Sequence, residues 1–196
     1  MKWLIAADLH GSALYTKKLL EDFEREGAGR MLLLGDLLYH GPRNDLPQGY
    51  APKEVMALLN PLAAHIHCVR GNCEAEVDQM VLDFPVLSES CLLDAAGRLL
   101  YATHGHVYNL EHPPRLHHGD VLLHGHTHVP ARVWSGDFWY LNPGSVSLPK
   151  QDSPHSYMTL EGGCFTWKTL EGATYDSLCL DGADGGQQGP RGEAFP

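Results

Sequence analysis

Val121-Leu122-Leu123-His124-Gly125-His126-Thr127-His128 is the stretch that decides the fold. An apolar run of strand type stops at a glycine, and two histidines follow at alternate positions. In extended backbone alternate side chains share a face, so His126 and His128 reach toward one point. Neutral imidazole is the commonest metal ligand, and a strand end holds it rigidly. Alone, such a pair is more often an incidental pair on a solvated strand than a metal site. Four upstream stretches repeat the pattern, however. Trp3-Leu4-Ile5-Ala6-Ala7 runs into Asp8, with His10 two residues on. Met31-Leu32-Leu33-Leu34 runs into Gly35-Asp36, and His65-Ile66-His67-Cys68-Val69-Arg70 into Gly71-Asn72. Leu99-Leu100-Tyr101-Ala102-Thr103 runs into His104-Gly105-His106. In α/β folds, functional groups gather just beyond the carboxyl ends of strands, on loops held by a stiff sheet.

The order of elements gives the fold class. Ser12 is placed to cap a helix through about Glu26, with Leu19, Leu20 and Phe23 as its buried stripe and Gly27 or Gly29 as its stop. After the second strand, residues 37–50 form a long loop broken by Gly41, Pro42, Pro47 and Gly49, of the kind that contributes to sites. Pro52 opens a helix carrying Val55, Met56, Leu59 and Leu62, and a short helix is expected over residues 75–82. From Phe84 onward hairpins replace helices. Strands are expected at 90–94 and 99–103, at 121–124, 131–135 and 138–142, and in a final hairpin of 156–160 with 164–170. The pattern βαβαβα followed by hairpins predicts one α/β (α+β) domain over residues 1–172, in which a mixed sheet with helices packs on a second, largely antiparallel sheet. The Gly-, Asp- and Gln-rich segment 173–196 reads as a disordered tail.

Composition excludes several classes. With 43% apolar and 19% charged residues, the chain is of ordinary globular type, and no apolar run approaches the roughly 20 residues of a membrane span. Only five apolar residues separate Lys2 from Asp8, too few for a secretory h-region of about 7–15, so the expected compartment is the cytoplasm. The five cysteines show no C-x-x-C spacing, so disulfides and a structural zinc site are not expected, and Cys68, Cys91 and Cys164 read as small buried apolar residues. A net charge of −10 argues against stable nucleic-acid binding. It favours a small phosphorylated substrate drawn to a local positive focus.

Asp8, Asp36, Asn72 and the histidines at 10, 104, 126 and 128 make seven ligand-type groups, more than one tetrahedral ion takes from protein. Two ions sharing a bridging carboxylate would use them. Mixed oxygen and nitrogen donors without thiolate suit Mn²⁺, Fe²⁺, Co²⁺, Ni²⁺ or Zn²⁺ better than Ca²⁺ or Mg²⁺. Ions about 3.5–4 Å apart activate a shared water and clamp the attacking and leaving oxygens at phosphorus.

Asp8-Leu9-His10, Gly35-Asp36, Gly71-Asn72, His104 and Gly125-His126-Thr127-His128 resemble the five signature blocks of the calcineurin-like metallophosphoesterases. His40-Gly41-Pro42-Arg43-Asn44, Gly71-Asn72-Cys73, Thr103-His104-Gly105-His106 and Asn142-Pro143-Gly144-Ser145 narrow the likeness to the YfcE-like phosphodiesterase group. The resemblance covers about residues 1–170. It implies a four-layer αββα sandwich with the dimetal site at one edge. It also implies one ion on Asp8, His10, Asp36 and His128 and another on Asp36, Asn72, His104 and His126, with Asp36 as bridge. The implied activity is Mn²⁺-favoured phosphodiester hydrolysis by in-line attack of a metal-bridging hydroxide. The alternatives are a phosphomonoesterase, a dinucleoside-polyphosphate hydrolase or a catalytically silent scaffold of the same fold; the last is disfavoured because no ligand position is vacated. Homo-oligomers are common in such groups, and no interface is legible in the sequence.

One position departs from the family pattern. Many members have histidine after the Gly-Asn pair, where this chain has Cys73, a weak donor that lines the site and leaves the general acid open. Asn72 and His104 join it as catalytic candidates. His106 reads either as a phosphate donor or acid in the pocket or as a surface histidine. His40 is similarly open, and Arg43 is either a bidentate phosphate clamp or a solvated loop arginine. Arg70 reads as structural, His124 as orienting a ligand, and the histidines at 65, 67, 112, 117, 118 and 155 as ordinary.

Overall fold

The computed structural model describes residues 1–180. β1 (Trp3–Ala6), β2 (Arg30–Leu33) and β3 (Ile66–Cys68) pair in parallel, linked by α1 (Ala13–Arg25) and by α2 (Pro52–Leu59) with a following 3₁₀ helix (Asn60–His65). The Ser12 hydroxyl accepts from the Tyr15 amide at 3.3 Å, the expected cap of α1, and Gly27 at φ 60° follows its last turn. A short α3 (Glu76–Val81) leads to β4 (Cys91–Ala95) and β5 (Arg98–Ala102), then β6 (Val121–Leu123), β7 (Ala131–Trp134) and β8 (Trp139–Asn142). The described residues close with β9 (Ser156–Glu161), β10 (Cys164–Thr169) and β11 (Thr174–Cys179).

Two sheets result, one of order β11-β10-β9-β1-β2-β3 and the other β4-β5-β6-β8-β7. Side-chain alternation explains the layering. Leu4 and Ala6 of β1, with Met31 and Leu33 of β2, face α1 and α2 and pack on Leu19, Phe23, Val55 and Leu59. Ile5 and Leu32, on the opposite face, meet Leu100, Val121, Leu123 and Leu141 of the second sheet, together with Phe165 and Trp167. Each such fully buried large apolar side chain contributes about 1.5–3 kcal/mol.

Three expectations are corrected. The second sheet is mixed: β4–β5 and β7–β8 are antiparallel, whereas β5–β6 and β6–β8 are parallel. Hairpins are legible locally, but the crossover through residues 103–120 and the placement of β8 beside β6 are long-range pairings with no local signature. Tyr108, from the loop after β5, packs on Tyr101 at 5.9 Å between ring centroids. The ordered domain runs past residue 172, because β11 pairs along β10; the rest of the expected tail, 181–196, lies outside the described residues. Finally, Cys164 and Cys179 sit opposite each other in that pairing and form a disulfide. Cys164 and Cys91 are only half-buried, whereas Cys68 is buried as expected.

Candidate metal centre

The parallel strands bring the ligand-type residues to one edge. Asp8, Asp36 and Asn72 follow β1, β2 and β3; His104 follows β5, and His126 and His128 follow β6. Asp8, His10, Asp36, His104 and His128 are almost completely buried, His126 is partly so, and Asn72 is exposed at the mouth.

The chain bends sharply at each of these points. Asp8, His10, Asp36, His126 and His128 adopt φ between 46° and 66°, a left-handed conformation costly for residues with a side chain and concentrated at functional sites. Bonds from distant segments hold them there. The Asp8 carbonyl accepts from Ser145 Oγ at 2.9 Å and Ser147 Oγ at 3.0 Å, which gives the turn after Asn142 its purpose. Glu74, missed by sequence reasoning, accepts backbone amides of Asp36 at 2.9 Å, Leu37 at 2.7 Å and Gly71 at 2.5 Å. Burial, then the charge of Asp36, pushes its carboxyl up to about 7. A Cβ at Gly71 would fall onto the Asp36 carboxylate, and one at Gly125 would lie 2.8 Å from Asp8 Oδ2. Only glycine permits those approaches.

The imidazoles are oriented from behind. Nδ1 of His10, His104 and His128 donates to the carbonyls of Tyr39 at 2.8 Å, Leu34 at 2.6 Å and Leu148 at 2.6 Å. That tautomer leaves each Nε2 as a bare lone pair facing the site. His10 Nε2 and His128 Nε2 then stand 3.2 Å apart, with Asp8 Oδ1 at 3.7 and 3.4 Å from them. Asp8 Oδ1 is buried without a hydrogen-bond partner. Three acceptors converging on one buried point repel one another unless a cation lies among them, so the donor set fits a divalent metal ion.

Across Asp36 lies a second subset. His104 Nε2 is 3.1 Å from Asn72 Oδ1 and 3.1 Å from His126 Nδ1. Asp36 Oδ2 is 3.7 Å from His10 Nε2 and 3.5 Å from His104 Nε2, so one oxygen borders both subsets. Burial lowers the imidazoles, His104 to about 4 and His128 to about 3, with His10 and His126 moving the same way. All four are therefore neutral, as metal ligation requires. Burial, and next the neighbouring charge of Asp36, pushes Asp8 well up, so its ionised form is favoured only with positive charge close by.

The remaining candidates divide. Cys73 donates its amide to Asp36 Oδ1 at 2.9 Å and its thiol to Oδ2 at 3.3 Å, and burial pushes the thiol up, so it stays protonated. His106 is exposed, its ring 5.4 Å from that of His104 and 6.3 Å from that of His126. Arg43 is exposed on the long loop. His40 is wedged edge-on between Tyr39 and Tyr50, its Nδ1 buried without a partner. Arg70 pairs with Glu89 at 3.6 Å. His124 stacks on Tyr140, and its Nδ1 lies 3.0 Å from the Gly125 carbonyl, so it braces the loop backbone rather than orienting a ligand ring.

A largely buried Asp/His cluster, with Asn72 at its mouth, between the carboxyl ends of two packed sheets is the site of a metallophosphoesterase, and the chain belongs to the calcineurin-like phosphoesterase superfamily, whose model matches residues 1–162. Within it, the chain is 47% identical over 161 residues to Phosphodiesterase YfcE of Escherichia coli (strain K12), covering 82% of this chain and 88% of that protein. The solved structure of YfcE, a phosphoesterase from E. coli, aligns with TM-score 0.88 at 41% identity over 92% of this chain and 100% of that one. Vps29 of Entamoeba histolytica in complex with Zn²⁺ shares the fold, with TM-score 0.59 at 21% identity over 92% of this chain and 99% of its own.

Proposed function

We propose that the chain is a dimetal phosphodiesterase acting on small phosphodiesters, Mn²⁺ being the working ion. The single observation that carries this is Asp36 Oδ2, flanked at 3.7 and 3.5 Å by imidazole nitrogens of two separate donor subsets. Asp8, His10 and His128 would hold one ion, Asn72, His104 and His126 the other, and Asp36 would serve both. When bound, such ions lower the pKa of a shared water and offset charge developing on phosphoryl oxygens.

The chain's own residues do the rest. The three Nδ1-to-carbonyl bonds fix the imidazole rings before substrate arrives, so little reorganisation accompanies reaction. Asn72, exposed at the mouth, would use its amide on a phosphoryl oxygen. His106, whose ring lies 5.4 Å from that of His104, would give a proton to the departing oxygen. Cys73 keeps its S–H on Asp36, which makes it a poor substitute for that acid. Arg43 would steer the anionic substrate.

Chelator-stripped protein reloaded with Mn²⁺ tests this. It should hydrolyse a bis-aryl phosphate diester faster than the matching monoester. A preference for the monoester, or no turnover of either ester by the folded, metal-loaded protein, would overturn the reading.

A further inference from the structure

Beyond β8 the chain passes the turn that supports Asp8 and then runs beside His128. The Leu148 carbonyl takes His128 Nδ1–H at 2.6 Å, and the Lys150 amide donates to the His128 carbonyl at 3.2 Å. The Lys150 carbonyl in turn accepts from Ser153 N at 3.1 Å and Ser153 Oγ at 2.7 Å. Gln151 and Asp152, between them, are held at φ 55° and 57°. These bonds pin the Lys150 backbone to the metal-centre rim, while its side chain stays exposed. Among the described residues no carboxylate stands within ion-pair distance of its ammonium. In a chain of net charge −10, Lys150 is thus a cation without an ion-pair partner among the described residues, on backbone bonded to that of His128.

We propose that Lys150 binds an anionic group on the alcohol arm of the substrate, away from the reacting phosphate, and so selects diesters with a second negative charge, carboxylate or phosphate. This deepens the phosphodiesterase reading and rests on it. The reacting phosphate would be matched by the divalent ions and needs no further full charge. A hydrated ammonium on a flexible four-carbon stem suits a group whose position varies, not one needing fixed geometry. A doubly charged substrate is repelled by the protein at large, and a local cation at the mouth reverses that field where it matters.

The test uses Mn²⁺-loaded protein and two non-hydrolysable phosphonate monoesters differing only in an arm that ends in methyl or carboxylate, with affinities read by calorimetry. Wild type should favour the carboxylate arm by about fivefold, the size of one exposed ion pair. K150M should lose that preference and K150R retain it. No preference in wild type, or an undiminished one in K150M, overturns the assignment. Turnover of the bis-aryl diester, followed in parallel, separates the two ideas. Turnover with an undiminished K150M preference sinks Lys150 alone; loss of preference without turnover supports Lys150 and sinks the phosphodiesterase reading.

Discussion

Asp36 holds two donor subsets together, and the effects of substitution follow from that. Asp36→Asn keeps the shape but removes the charge both subsets share, so kcat of the Mn²⁺-loaded enzyme should fall by more than about 100-fold, as when a transition-state charge loses its stabilising partner; near-wild-type turnover would refute the bridging role. Glu74 ties the Asp36 and Gly71 backbones together. Glu74→Ala should weaken metal retention about 10- to 100-fold on dialysis, the usual cost of losing an outer-shell partner, and unchanged retention would reduce it to a bystander. Cys73→His supplies a better acid next to the mouth, so esters with poor leaving groups should gain more than activated aryl esters; equal effects on both would show that acid catalysis is not what Cys73 lacks. At this scale the ligands are legible, since Asp, Asn and His at strand ends leave a local mark. Glu74 leaves none. What it does, accepting amides from the loop after β2 as well as from its own, exists only after folding.

Helices and hairpins are legible for the same local reason: Ser12 caps α1, and Gly97 and Gly162-Gly163 mark two hairpin turns. What escapes is pairing between segments far apart. β11 reads as tail because Thr174–Cys179 has no apolar alternation strong enough to announce a strand, and its pairing with β10 settles it instead. The Cys164–Cys179 bond closes a loop of sequence separation 15, worth about 3 kcal/mol in the chain-entropy account. Reduction should therefore lower thermal stability while sparing phosphodiester turnover, since β11 lies at the sheet edge away from the centre. Loss of turnover on mild reduction would contradict that separation. In α1, Asp22 is fully buried, and burial raises it from 3.8 to about 6 against the opposing pull of Arg25. The folded chain then binds this proton more tightly than the unfolded one, so stability falls as pH rises from about 4 to about 6, by on the order of 2 kcal/mol. Asp22→Asn should flatten that slope in thermal melts, and parallel slopes would count against it.

For the molecule as a whole, function depends on two sheets presenting the carboxyl ends of parallel strands at a common edge. Neither sheet holds a complete site: Asp8, His10, Asp36 and Asn72 belong to the first, and the histidines at 104, 126 and 128 to the second. The inter-sheet packing of Ile5 and Leu32 against Val121 and Leu123 therefore sets ligand distances as well as stability. The Trp167 indole donates to the Asn142 carbonyl at 2.7 Å across the same interface and helps hold the sheets in place. Anomalous scattering from crystals soaked in Mn²⁺ tests the central claim most directly. Two peaks about 3.5–4 Å apart on either side of Asp36 are predicted, one beside Asp8, His10 and His128 and one beside Asn72, His104 and His126. A single peak, or ions bound away from Asp36, would contradict the account.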